Sequence, residues 1–223
     1  MAHSRRAFFR EVLAGAAAMA TAGQTLNSTV AAQTALSPDA ALQQLIDGNA
    51  RFAEGRMTSF DEDLSILKAK TTEKQEPFAA VLSCADSRVP VELIFDQSIG
   101  HVFVTRVAGN IATSPMIASL EYGVAVLGTK AIMVLGHANC GAVKASIEAK
   151  AVPGQISALY RYIRPAVDQA GPDLEAAIKS NAKIQAALLR QSSPVLADHI
   201  KQNLLKIVAG YYDLSSGNVA MLD

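Results

Sequence analysis

Both cysteines of this 223-residue chain, and one of its four histidines, fall in two short stretches, Cys84-Ala85-Asp86-Ser87-Arg88 and His137-Ala138-Asn139-Cys140-Gly141. Two thiolates and an imidazole are three good ligands for zinc, and three protein ligands leave the fourth tetrahedral position to water. The pattern therefore predicts a catalytic zinc site held by Cys84, His137 and Cys140. Two thiolates and a neutral imidazole cancel the charge of a dication, so such a site acidifies its water less than a three-histidine site does. Other groups must then orient the nucleophile. Asp86 and Arg88 are suited to this, because an arginine keeps a carboxylate ionised and fixed while the carboxylate accepts a hydrogen bond from the water. A surface ion pair is the plainer account of those two residues, and their place beside a metal ligand favours the catalytic one. A disulfide is the plainer account of the cysteines, but it leaves His137, three residues before Cys140, without a role.

These residues must be carried by elements that bring them together. Ser37-Pro38-Asp39 supplies a capping hydroxyl, a first-turn proline and an acid, and Leu42, Leu45, Ile46 and Phe52 follow at helical spacing. Residues 55–76 are polar and irregular, a connection with a short helix. Residues 79–83 read as a strand that ends at Cys84, 102–104 as a second strand, and 131–135 as a third that ends at Gly136-His137. Residues 113–127 read as a helix stopped by Gly128, and 141–150 as a short helix whose N-terminus would lower the pKa of Cys140. Residues 155–204 read as helical, broken at Pro165, Gly171-Pro172 and Pro194. Residues 205–212 and 218–222 read as a strand pair about the turn Ser215-Ser216-Gly217. Strands alternating with helices predict an α/β fold with a central, mostly parallel sheet flanked by helices. Ligands bind such sheets beyond the carboxyl ends of the strands, which is where Cys84 and His137 fall. His101 and His199 read as surface residues, and no glycine-rich dinucleotide fingerprint is present.

Charged residues make up 18% of the chain and balance to a net charge of zero, which gives no footprint for nucleic acid. The body of the chain has no run of about eighteen apolar residues, so no internal membrane span is expected. The beginning differs in kind. Ser4-Arg5-Arg6-Ala7-Phe8-Phe9-Arg10 precedes a small-residue apolar stretch from Val12 to Ala22, a polar spacer and Val30-Ala31-Ala32. This pattern predicts a twin-arginine export signal over residues 1–32, a single domain over residues 33–223, and a bacterial periplasmic location. A basic amphipathic or anchoring helix is the other reading of the same stretch. Removing residues 1–32 takes three arginines and one glutamate from a balanced 20 and 20, leaving 17 basic against 19 acidic residues, a net charge of −2.

The two motifs together resemble those of the β-class carbonic anhydrases. The similarity extends to Asp47-Gly48-Asn49-Ala50-Arg51-Phe52, Phe95-Asp96-Gln97, Arg106-Val107-Ala108-Gly109-Asn110, Ser119-Leu120-Glu121-Tyr122 and Ile207-Val208-Ala209-Gly210-Tyr211-Tyr212-Asp213, roughly residues 37–222. The resemblance implies one zinc ion per subunit on Cys84, His137 and Cys140, with Asp86 and Arg88 as the orienting pair. It implies Gln97 as a hydrogen-bond donor to substrate, the Gly141 amide as a second donor, and Tyr122 near the substrate pocket. The chain has Gln97 and lacks Trp, which favours the subclass whose aspartate stays off the metal. The implied reaction is reversible hydration of carbon dioxide to bicarbonate and a proton by zinc-bound hydroxide, in a homodimer or larger assembly. A carbonyl sulfide or carbon disulfide hydrolase on the same scaffold, and a non-catalytic zinc protein, are the alternatives.

Overall fold

The computed structural model describes residues 34–59, 68–69, 71–72 and 74–222. The export signal expected over residues 1–32 and most of the short helix expected within 55–76 lie outside the described residues. Helix α1 (Pro38–Ala53) begins as its sequence dictates, with the Ser37 hydroxyl accepting the Ala40 N–H at 3.2 Å. There follow β1 (Ala79–Ser83), a single turn α2 (Val91–Ile94), β2 (Val102–Arg106), α3 (Ser114–Ala125), β3 (Ala131–His137) and α4 (Gly141–Glu148). A 3₁₀ turn (Ile156–Leu159) leads into α5 (Tyr160–Ala170), then α6 (Leu174–Ser192), α7 (Pro194–Lys201), β4 (Lys206–Tyr212) and β5 (Val219–Leu222).

The five strands lie in the order β2-β1-β3-β4-β5, parallel except for the antiparallel β4–β5 hairpin at one edge. Alternation along each strand sorts the side chains to two faces. Ala80, Leu82, Ile132, Val134, Ile207 and Ala209 pack beneath α3, α6 and α7. Ala79, Val81, Ala131, Met133 and Leu135 pack beneath α1 and α2. Burial on both faces is why the central strands read as unbroken apolar runs rather than as alternating ones. A third cluster, with Val143, Ile163, Ile178 and Tyr211, surrounds Cys84 and Cys140 at the carboxyl ends of the strands.

The fold expected from sequence is the fold observed, with two differences in detail. Pro165 lies inside α5 and does not end it. Its ring removes the bond to the Arg161 carbonyl, but Arg161, Arg164 and Pro165 share the exposed face, where water takes the freed oxygen. The turn α2 was not expected. It packs Val91 and Ile94 into the core between two stretches that read as loop. One polar side chain ties the ends of the domain together: buried Asn49 of α1 donates to Ile94 O (3.1 Å) and Gly217 O (2.9 Å), and accepts the Val219 N–H (2.7 Å). Among the described residues no helix is long and apolar enough to cross a membrane.

Candidate active site

Strands β1 and β3 are parallel neighbours in register, Ser83 opposite Leu135, so Cys84 and His137 emerge at the same end of the sheet. Asn139 then adopts φ +54°, a left-handed conformation that asparagine tolerates better than most residues. That turn brings Cys140 back as the N-cap of α4. The ligand atoms of Cys84, His137 and Cys140 all lie within 4.8 Å of one another, and all three residues are buried.

The histidine's tautomer is set by its neighbour. His137 Nδ1 donates to the Ala138 carbonyl at 2.9 Å, which leaves Nε2 with its lone pair free. That atom is buried with no hydrogen-bond partner, facing two sulfurs. An orphaned buried nitrogen is costly, and a dication among these three donors removes the cost. The sulfurs point the same way. Contact with the Cys140 thiol, against the effect of burial, pulls the Cys84 thiol down, with the neighbouring His137 ring and the Gly109 amide assisting. The same contact, with burial, pushes the Cys140 thiol far up. The two sulfurs thus compete for a proton at the position where a metal ion would hold both as thiolates. The donor set fits zinc.

Asp86 sits beside this triangle without joining it, its Oδ2 3.9 Å from His137 Nε2. Arg88 grips both carboxylate oxygens, Nε to Oδ1 at 2.9 Å and a terminal nitrogen to Oδ2 at 2.7 Å, and its backbone N–H adds a bond to Oδ1 at 2.9 Å. The Arg88 side chain is the chief cause of an Asp86 carboxyl held well below the usual carboxylate range. Arg88 also donates to the Asn139 carbonyl at 3.3 Å, bridging the two motifs. A cleft of about 690 Å³ opens beside the pair, lined by Arg88, Asn139, Ile178, Tyr211, Tyr212 and Ser215 among others. Gly141 is the first residue of α4, and its N–H donates to no group among the described residues.

Gln97 and Tyr122 make the following contacts within the chain. Gln97 donates one amide hydrogen to Phe95 O (2.7 Å) and accepts from Gln44 of α1 (3.4 Å). Tyr122 lies on α3, 47% exposed, with the Phe103 ring as its aromatic neighbour. Two supporting residues carried no assigned role in the sequence. Arg106, at the end of β2, donates to Cys84 O (3.0 Å) and Asp86 O (2.5 Å), and the Gly109 N–H donates to Cys84 Sγ at 3.3 Å. The available signal was their position just past the second strand, level with Cys84 past the first.

A parallel α/β sheet whose strand ends present a buried Cys–His–Cys set beside an arginine-held aspartate defines a metal-binding protein of the open-sheet kind. Residues 79–219 match the family model described as carbonic anhydrase. The carbonic anhydrase of Mycolicibacterium smegmatis is 34% identical, the alignment covering 83% of this chain and 93% of that protein. Carbonic anhydrase 2 of Mycobacterium tuberculosis is 33% identical over 84% of this chain and 94% of that protein. Among solved structures, the β-carbonic anhydrase CcaA superposes with a TM-score of 0.65 at 28% identity, covering 82% of this chain and 95% of that one. The chain belongs to the β-class carbonic anhydrase family.

Proposed function

We propose that the chain is a zinc enzyme catalysing the reversible hydration of carbon dioxide to bicarbonate and a proton, with Cys84, His137 and Cys140 as the zinc ligands. The carrying observation is the buried Cys84–His137–Cys140 triangle, its ligand atoms within 4.8 Å of one another and the His137 Nε2 unpartnered, beside an Asp86 carboxylate gripped at both oxygens by Arg88. Zinc, when bound, supplies a Lewis acid that brings the pKa of water toward neutrality.

The chain's own residues do the rest. Asp86, fixed by Arg88, accepts a hydrogen bond from the attacking water and so directs a lone pair at the carbon of carbon dioxide. As the C–O bond forms, charge builds on a substrate oxygen, and the unspent Gly141 N–H at the start of α4, next in sequence to Cys140, would receive it. The water's second proton leaves to solvent. Gln97, with one of its two amide hydrogens on Phe95 O, keeps a second donor for substrate, and Tyr122 keeps its hydroxyl. The test is a stopped-flow hydration assay with zinc quantified in the same preparation. Asp86→Ala should lose at least about 10²-fold in kcat at full zinc occupancy. An unchanged rate, or a parent protein with zinc and no hydration activity, refutes the proposal.

Two further parts of the reading concern where the chain acts and with what. The arginine pair and small-residue stretch within residues 1–32 support export by the twin-arginine route to the periplasm. The edge strands β2 and β5, with exposed Tyr122 on α3 and Val126 at its C-cap, support a homo-oligomer. Sedimentation of the purified protein as a monomer at micromolar concentration would refute the latter.

A further inference from the structure

We propose that Asn181, in the middle of α6, is a positioning residue for the metal centre. It holds the Gly109 peptide so that the Gly109 N–H stays aimed at the Cys84 sulfur. The inference rests on Cys84 being a metal ligand.

Gly109 reaches the sulfur from a loop. It occupies the third position of a turn closed by Asn110 N–H to Val107 O at 2.9 Å, with φ +77°, and no strand pairing fixes it there. Its anchor is the side chain of Asn181, which donates to Gly109 O at 2.8 Å across 72 residues of sequence. One turn further along α6, Gln185 accepts the Ala112 N–H at 2.9 Å, so the far end of the same loop hangs from the same helix. Gln185 also donates to Asn181 Oδ1 (3.2 Å) and to Tyr162 O (3.0 Å). Both amides are fully buried.

The orientation of this pair follows from its partners. Backbone carbonyls only accept and the Ala112 amide only donates, so the nitrogen of Asn181 must face Gly109 O and the oxygen of Gln185 must face Ala112. Gln185 then has one orientation in which it also satisfies Asn181. The chain of bonds runs Tyr162–Gln185–Asn181–Gly109–Cys84, part-buried at Tyr162 and buried from Gln185 onward, from two packed helices to one sulfur. An N–H on a thiolate ligand draws charge from it and fixes its lone pairs. Outer partners of this kind change metal affinity by about 10- to 100-fold when removed. Asn181 and Gln185 stand at i and i+4 on α6, far in sequence from either motif.

The test uses the zinc-loaded full chain. Asn181→Asp keeps the shape and removes the donor, setting oxygen against the Gly109 carbonyl. Zinc transfer to a chromogenic chelator should speed up by about 10- to 100-fold. In the cobalt-substituted protein the sulfur-to-cobalt charge-transfer band should move. Leu189→Ala, on the same helix but buried in the core away from the ligands, should lower Tm while leaving both readouts at parental values. If Asn181→Asp does not fold, Gln185→Glu, which removes the donor that orients Asn181, should shift both readouts in the same direction.

Parental release and an unmoved band in a folded Asn181→Asp protein overturn the proposal. So does an equal response from Leu189→Ala. A parent that binds zinc but does not hydrate carbon dioxide refutes the carbonic anhydrase reading alone, since both readouts report on the metal. A parent that takes up no metal overturns both.

Discussion

The Gly141 amide can be deleted almost without touching the fold, which makes Gly141→Pro a sharp probe of the site. Proline has no N–H, and the first position of a helix is where its fixed φ is best tolerated. Gly141 holds that position in α4, and beyond its chain neighbours and its own helix backbone no heavy atom lies within 4 Å of where its Cβ would sit. The preceding residue must avoid the helical region, and Cys140 already does, at φ −63° and ψ 116°. Folding stability should therefore stay within about 1 kcal/mol of the parent, with a small gain from the stiffer unfolded chain. Catalysis should not. Removing one backbone donor to a developing oxyanion costs about 10²- to 10³-fold in kcat, or roughly 3–4 kcal/mol of transition-state stabilisation. The assay is stopped-flow hydration with Tm and zinc content on the same sample. Gly141→Ala is the control, keeping the N–H, and should remain within a few-fold of the parent. A zinc-replete Gly141→Pro protein with parental turnover, or an equal loss in Gly141→Ala, would refute the assignment of this amide to the substrate.

Other perturbations test the frame around the site. Asp96 is held by the Ser59 and Thr58 amides at 2.9 and 3.0 Å and by Arg51 at 2.6 Å. Burial opposes its ionisation, and these partners outweigh it, bringing its pKa from 3.8 to about 2. The folded state then binds fewer protons than the unfolded chain between pH 2 and 4, so this stabilisation is full above about pH 4 and is lost as pH falls through about 2. Asp96→Asn, which tolerates the φ of +45° there, should cost about 2 kcal/mol at neutral pH and flatten that acid limb in urea titrations. Gly109→Ala would place a Cβ 2.7 Å from Ile163 Cδ1 at a φ of +77°. Strain and overpacking of about 2–4 kcal/mol should lower Tm by about 5–15 °C by calorimetry. Replacing Arg5 and Arg6 together with lysine should keep the full-length chain in the cytoplasm of a bacterial host by cell fractionation, and unchanged periplasmic recovery would refute the export reading.

Much of the ligand set was legible because its chemistry is local. Cys84 and His137 each follow an apolar run of strand length, and parallel pairing of such runs puts their ends side by side. His137 and Cys140 sit three residues apart, close enough for one turn to bring both to a single ion. What escaped sequence reasoning depends on where backbone groups point. Gly109 and Arg106 reach Cys84 through an N–H and a guanidinium whose direction no residue pattern encodes. Gln97 adds a second case: its bonds to Phe95 O and from Gln44 come from distant backbone and helix positions that its local sequence does not encode. In α5, Pro165 read as a break because a proline costs a helical hydrogen bond, and only the exposure of that face shows why the cost is small.

Asn49 makes the domain a closed loop in assembly order. Its three bonds join the first described helix to Ile94 and to the hairpin at Gly217 and Val219, 168 and 170 positions downstream. During synthesis that carboxamide stays without most of its partners until almost the whole chain has left the ribosome. A polypeptide cut short before Gly217 would keep a sequestered amide with nothing to bond, and would be marked as incomplete by its own instability. For a chain proposed to be exported, Asn49 acts as a clasp that only the finished product can fasten.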